Sequence, residues 1–493
     1  MTQDGGRSSS LRGGIAWSLV SFVGTKALTF LAILVLARLV APSEFGVLAA
    51  VLAFIGVLEV ISDLGMKASV IYDSERGITS RVQTAFTLNV AFTIVLVALA
   101  VALAPVVAGF FRVESETVLF RLASLDLLLI GLGNINDALL LRDMELRRRT
   151  IAMVTGNTVR AACTIALAAA GLGADALVIG FIAGTATWTA TVWILKPFRP
   201  TLRIDRAAIR GIASYGGWAS ALEIIAGIGQ RADVAVIGSA LGTRALGLYT
   251  IGQRLPELVV GNVTWSLSVV SFPALAKRRD EGHESLIGTT LNLMRYSALF
   301  GLSAGAGLAV LATPLVVVLF SERWEEAGAV MAPLAIMYGL LCIVFPLGDT
   351  FKALARQRIM VAVNGIAIPV SVAAMVLAAP EGIVAVAWSR VIVTVAQGIV
   401  WIVLISSVLR LGTRTVAATL RPGLAAAAGV AAGGAAVRLA LPEAAIVPLL
   451  LGIGAEAAGG LVALRLFARE QLEELRGLVT GRWLVARRRM RSA

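Results

Sequence analysis

Long unbroken apolar runs separated by short polar stretches dominate this chain, and their lengths set the first expectation. A helix needs about 20 apolar residues to cross the hydrocarbon layer of a bilayer. Runs of that size lie near 14–37, 45–71, 83–111, 118–141, 150–172, 175–195, 214–240, 245–272, 289–320, 328–351, 359–379, 382–409, 423–441 and 444–467. Strands of a membrane barrel would alternate apolar and polar residues, whereas these runs are continuous. The pattern therefore predicts an all-α polytopic membrane protein of about 14 transmembrane helices. The first run extends to Val40, too long for a signal-peptide core of about 7–15 residues, and no small-residue cleavage pattern follows it. It reads as a retained first span.

Composition sharpens this. Apolar residues make up 58% of the 493 and charged ones 15%, against about 25% charged in a soluble domain. Cys163 and Cys342 both lie inside apolar runs, which excludes a disulfide framework and fits buried free thiols. The single histidine, His283, stands in a charged loop, so no metal centre and no cofactor are expected.

The net charge of +13 would suggest nucleic acid in a soluble protein, but its placement gives another answer. Basic residues concentrate in cytoplasmic loops of membrane proteins. With the N-terminus cytoplasmic, the alternate connections and the C-terminal tail hold 30 lysines and arginines, and the other side holds 5: Arg38, Arg112, Arg244, Arg323 and Arg438. A wrong span count would scramble that ladder. The expectation is a multi-pass protein of the plasma (inner) membrane with both termini cytoplasmic, its basic belt facing anionic membrane lipids rather than nucleic acid.

Two halves are suggested by residues 201 apart: Trp17 with Trp218, and Gly46 with Gly247. The expected plan is a cytoplasmic N-terminal tail (1–13), a six-helix bundle (14–195), a cytoplasmic linker (196–213), a second six-helix bundle (214–409) and two additional helices (423–467). A basic amphipathic tail (468–493) would lie on the inner leaflet. Six spans separate equivalent positions, so the halves would be parallel repeats related by a pseudo-two-fold axis along the membrane normal, a transporter plan that holds substrate between halves near the midplane. The connections leave no room for a soluble catalytic domain.

Eight basic residues remain inside spans: Lys26, Lys67, Arg121, Arg160, Arg231, Arg254, Arg295 and Arg390. Embedded acids include Glu59, Asp63, Asp126, Asp137, Glu223, Asp233, Glu257, Asp349 and Glu456. A charge at the bilayer centre costs roughly 2.5–3.5 kcal/mol on insertion scales, so such groups line wet cavities or pair with one another. They concentrate on the first, second, seventh and eighth spans. Asp63 and Lys67 share a helix face at i and i+4. Arg254 and Glu257 flank Pro256, which should kink the eighth span. Two readings stand: a cationic midplane chamber for an anion such as a diphosphate, or internal ion pairs that hold helices together. The concentration on corresponding spans favours the chamber. Arg121, Arg295 and Asp349 lie near span ends and read as snorkelling groups, while Arg160, Arg390 and Glu456 fit either role.

The stretch RLVAPSEFGVLAAV (Arg38–Val51) resembles the signature after the first helix of polysaccharide-exporting flippases. So does GQRADVAVIGSALGTRALGLYTIGQRL (Gly229–Leu255), with Arg231, Asp233, Gly238, Gly242, Gly247, Tyr249 and Arg254 at family positions. Together they are similar to the Wzx-type oligosaccharide flippases of the multidrug/oligosaccharidyl-lipid/polysaccharide exporter superfamily. The resemblance implies two six-helix bundles around a central cavity, two extra C-terminal helices, and an undecaprenyl-diphosphate-linked oligosaccharide moved to the outer leaflet by alternating access. It makes Lys26, Arg231 and Arg254 candidates for the diphosphate, and Asp63, Glu223, Asp233 and Glu257 candidates for ion coupling, by proton or sodium, or for sugar binding. Polysaccharide assembly machinery is an expected contact. The lone lysine in the first span argues against lipid II as the substrate.

Rival readings are a multidrug antiporter of the same superfamily, which would favour an acidic, aromatic cavity, and a membrane glycan polymerase or glycosyltransferase, which would need a large external catalytic loop. None of the five lysines follows a glycine, so a Walker loop and an ATP-driven pump within this chain are excluded. The expectation is a transporter, not an enzyme.

Overall fold

The computed structural model describes residues 24–63, 70, 78–200, 227, 229–441, 445–469 and 472–473. Among these the secondary structure is helical, as a chain in hydrocarbon requires: with no water to bond backbone groups, each segment satisfies its own within a helix. The chain divides into two compact units, residues 1–247 and 248–493.

In the first unit, α1 (24–39) leads into α2 (Pro42–Asp63), α3 (Ile78–Phe110), α4 (Thr117–Arg142), α5 (Leu146–Ala169) and α6 (Gly173–Leu195). Helix α2 packs on α3, α4 and α6, and α5 lies along α6. The turn between α5 and α6 occupies residues 170–172, with Gly171 and Gly173 at positive φ. Helix α7 (Ala232–Pro256) is interrupted at Gly242 (φ 83°, ψ 177°). A Cβ on Gly238 would lie 3.2 Å from the Leu246 side chain, although eight residues of straight helix span about 12 Å. The chain therefore doubles back at Gly242, ending the seventh span and starting the eighth.

The second unit continues with a π turn (Glu257–Gly261) and α8 (Asn262–Glu281). Then follow α9 (His283–Val310), α10 (Ala312–Phe320), α11 (Glu325–Ala353), α12 (Gln357–Ala378), α13 (Ile383–Leu409), α14 (Thr413–Ala440) and α15 (Ile446–Phe467). Helix α11 is the hub, touching α8, α9, α10 and α13, while α14 and α15 pair and dock through α9. The glycines set these distances: Gly301 and Gly305 of α9 abut the Gly339 and Ala335 carbonyls of α11, the close approach that small residues allow in membranes.

Twelve stretches of the described residues are long and apolar enough to span a bilayer. One runs from Ala232 to Glu281 and contains the Gly242 reversal; α1 adds the described part of the first span. The protein is a multi-pass membrane protein on the expected all-helical plan. At Pro256, where a kink is expected, the backbone stays helical and changes type, a π turn following directly. The ninth run, read as one span over 289–320, is two helices broken at Leu311. Large side chains face outward on many helices, among them Leu377 (79% exposed) and Leu439 (87% exposed). Lipid, not water, is the solvent such a surface fits.

Gly46 and Gly247, singled out by their spacing, meet reciprocal neighbours: a Cβ on Gly46 would strike the Thr243 carbonyl, and one on Gly247 the Pro42 carbonyl. Backbone cannot yield as a side chain can. Gly46→Val is therefore expected to cost about 1–3 kcal/mol through overpacking, read as a fall in the thermal midpoint in detergent. Gly454→Val, at a site with open space around it, should leave the midpoint in place.

Candidate functional site

Three membrane-spanning helices of the first unit bring charge together, and a fourth supplies a hydroxyl and a ring. Asp126 of α4 is 2% exposed. Both Arg160 of α5 and Glu59 of α2 act on its carboxylate, and Thr185 of α6 hydrogen-bonds to it. The Arg160 guanidinium lies 4.0 Å from the centre of the Phe181 ring, a cation–π contact, and its terminal nitrogen is 3.5 Å from the Thr185 hydroxyl. Gly184 makes this possible, since a Cβ there would press on the Arg160 stem and the Gly156 carbonyl. The group thus joins two carboxyl groups and one guanidinium. Asp126 Oδ1 and Arg160 Nε are buried and have no hydrogen-bond partner among the described residues.

Arg231 stands beside this group, at the start of α7. Its guanidinium lies against Gly56, three residues before Glu59 on α2, where any Cβ would collide with it. It donates to the Gly227 carbonyl at 3.0 Å, and no carboxylate among the described residues pairs with it. Asp233 is 4% exposed, and its Oδ1 accepts the Val234 N–H at 2.9 Å. Lys26 is half-buried on α1 and engaged with a neighbouring group. Asp63 closes α2 with its side chain outside the described residues, and Glu223 and Lys67 lie outside them altogether.

In the second unit Arg254 and Glu257 form a loose pair at 3.8 Å where α7 enters the π turn. Gln253 donates to the Tyr338 hydroxyl at 2.8 Å. Arg254 Nε is buried and without a partner among the described residues. Proline removes a backbone donor, and π turns recur at functional positions, so this pair occupies an adaptable stretch of helix.

Two side chains expected to snorkel sit elsewhere. Asp349 is 1% exposed, accepting from Ser268 of α8 at 2.6 Å and Lys352 at 3.0 Å. It pins α8 to α11, because α11 is the buried hub. Arg295 lies in the middle of α9, since that helix begins at His283 rather than near 289. Glu456 reaches from α15 into a notch beside Gly307 of α9 and Gly434 of α14.

The basic face of the first unit is tied by a half-buried cluster. Lys196 lies 2.7 Å from Asp143 and 2.6 Å from Glu145. Hydrogen bonding to Lys196, then to Arg148, holds the Glu145 carboxyl below its ordinary 4.5. Bonds to Asp143 and Glu145 hold the Lys196 ammonium above its ordinary 10.5. Glu145 thus adds stability above its ordinary range that fades as pH falls through the lowered value; Lys196 adds stability below its ordinary range that fades as pH rises through the raised one. The cluster should contribute a flat, small gain between those limits, as surface pairs do. Lys196→Met should lower the midpoint slightly at neutral pH and narrow its difference from wild type below pH 4.

A family model described as a polysaccharide biosynthesis protein matches residues 35–329. The chain belongs to that family. The lipopolysaccharide biosynthesis protein WzxC of Escherichia coli (strain K12) is 25% identical over 352 residues, 70% of each chain. The succinoglycan biosynthesis transport protein ExoT of Rhizobium meliloti (strain 1021) is 23% identical over 332 residues, 66% of each. Among solved structures, the lipid II flippase MurJ in an inward closed conformation matches with TM-score 0.75, 13% identity, and coverage of 93% of this chain and 100% of that one. An inward-facing multidrug resistance MATE transporter matches with TM-score 0.66, 15% identity, and coverage of 81% and 99%. These two structures share the fold, and the family supplies the biosynthetic context.

Proposed function

We propose that this protein moves a polyprenyl-diphosphate-linked oligosaccharide from the cytoplasmic to the outer leaflet of the plasma (inner) membrane by alternating access. The carrying observation is Arg231: a guanidinium on a membrane-spanning stretch, bonded to the Gly227 carbonyl and, among the described residues, to no acid. Such a group is costly in lipid and is suited to a diphosphate, whose oxygens it grips bidentately. Lys26 and Arg254 are further candidates for the diphosphate. The carboxyl groups of Asp126, buried, and Glu59, half-buried, suit a coupling proton or sodium ion, with Asp63, Glu223, Asp233 and Glu257 as further coupling or sugar-binding groups. Both WzxC and ExoT are named for glycan biosynthesis, and ExoT for transport, which supports a transporter over a polymerase or glycosyltransferase.

The MATE likeness keeps a multidrug antiporter as the second reading. Deleting the gene separates the two. Loss of surface polysaccharide with accumulation of its lipid-linked precursor inside the cell is the expected result. Unchanged polysaccharide with increased sensitivity to cationic drugs would overturn the flippase reading.

A further inference from the structure

Glu456 is the only acid on either of the two C-terminal helices. It stands ten residues after the start of α15 and eleven before its end, about 15 Å from each at 1.5 Å per residue. That is mid-depth in a hydrocarbon core about 30 Å thick. Two glycines on two other helices clear a notch for its carboxyl group. A Cβ on Gly307 of α9 would lie 2.8 Å from Oε2, and one on Gly434 of α14 would lie 2.6 Å from Oε1. Contacts on either side close the same seam: Gly423 of α14 abuts Ala298 of α9, and Gly452 of α15 abuts Leu311 at the end of α9. The carboxyl therefore sits where α9, α14 and α15 meet.

The notch holds no charge to match a carboxylate. Oε1 is buried and has no hydrogen-bond partner among the described residues. Helix α10, which also touches α15, carries no titratable group. On α9, Arg295 lies twelve residues before Gly307, about 18 Å along the helix, and His283 and Glu284 lie farther still. On α14, Arg414 and Arg421 lie thirteen or more residues before Gly434. Arg465 of α15 lies nine residues beyond Glu456. Arg438 is one turn from Gly434, but it donates to the Val310 carbonyl at 3.1 Å and forms no ion pair with Glu456. A buried ion without counter-charge or hydrogen bond is costly, whereas a neutral acid brings its own donor.

We propose that Glu456 is a proton-binding site that clasps the C-terminal helix pair to α9. The neutral carboxyl fills the notch while the pair is docked. Once its proton leaves to water, the carboxylate draws Arg438 off the Val310 carbonyl or moves toward the headgroups. Either move parts α15 from α9. The site rests on the packing of these three helices and stands apart from the flippase reading.

The test uses the full chain in detergent. Spin labels on Leu377→Cys and Leu439→Cys, both exposed positions, report the distance from α12 to α14. A Cys163→Ser background removes the half-buried thiol, and Cys342 is buried. The distance should widen by about 2 Å or more between about pH 6 and about pH 9. Glu456→Gln, neutral and of the same shape, should abolish that widening. Infrared difference spectra of wild type against Glu456→Gln at the lower pH should show loss of one protonated-carboxyl band. Arg438→Gln should leave the low-pH distance unchanged. A distance constant across the pH range, no carboxyl band lost in Glu456→Gln, or equal widening at low pH in Glu456→Gln and Arg438→Gln, the mark of an ion pair, would overturn the assignment.

Discussion

Arg231→Ala is expected to cut delivery of lipid-linked glycan to the outer leaflet about ten- to a hundredfold at unchanged protein level. A hydrogen bond to a charged group contributes about 1.5–3 kcal/mol, and each 1.4 kcal/mol is a factor of ten. Folding should survive, because the side chain removed leaves Gly56 without a neighbour rather than an acid without a counter-charge. Arg231→Lys should recover part of the rate, since lysine restores the charge and loses the two-pronged grip. The measurement is accessibility of radiolabelled lipid-linked glycan to an external hydrolase in vesicles. Wild-type delivery in both Arg231→Ala and Lys26→Ala would remove the diphosphate assignment.

Arg160→Met is expected to act on stability first. It leaves the Asp126 carboxylate, 2% exposed, beside Glu59 with no cation in the group. The two side chains act on each other through charge without a direct bond, so the loss is that of a nearby counter-charge to a buried carboxylate, about 1–3 kcal/mol, a sizeable part of the 5–15 kcal/mol that holds a typical domain. The double variant Arg160→Met/Asp126→Leu should regain most of the loss, as apolar replacements of buried pairs do. Thermal midpoints of the four forms give the coupling as a double-mutant cycle. If the single and double variants are equally destabilised, the Asp126–Arg160 interaction is not what holds these helices. The contrast with Arg231 is diagnostic: one arginine is expected to matter for cargo, the other for the fold.

Much of the architecture was legible in the sequence because bilayer thickness imposes a length on every span. The runs from Leu146 to Ala169 and from Gly173 to Leu195 are separate helices although only three residues divide them, and two glycines at positive φ mark that division. Gly242 was legible in the same way, as a glycine inside a motif that had to turn. The group of Glu59, Asp126 and Arg160 was not. Their sequence spacing carries no helical periodicity; α2, α4 and α5 bring them together only after folding, and Phe181 and Thr185 carry no charge that would have flagged them. Asp349 was misjudged as snorkelling for a related reason: proximity to a span end predicts access to water only if the helix faces outward, and α11 is surrounded. For Asp63, Glu223 and Lys67, the expectations rest on sequence alone.

Among the described residues, the turns on the side assigned to the exterior are short: residues 170–172 join α5 to α6, and the chain reverses around Gly242. A sugar chain emerging there would meet only these short turns among the described residues. Nothing in those turns would act as a steric ruler, and two glycans differing only in their number of distal repeats should be released at similar rates. Control of polymer length falls to whichever catalyst adds the repeats.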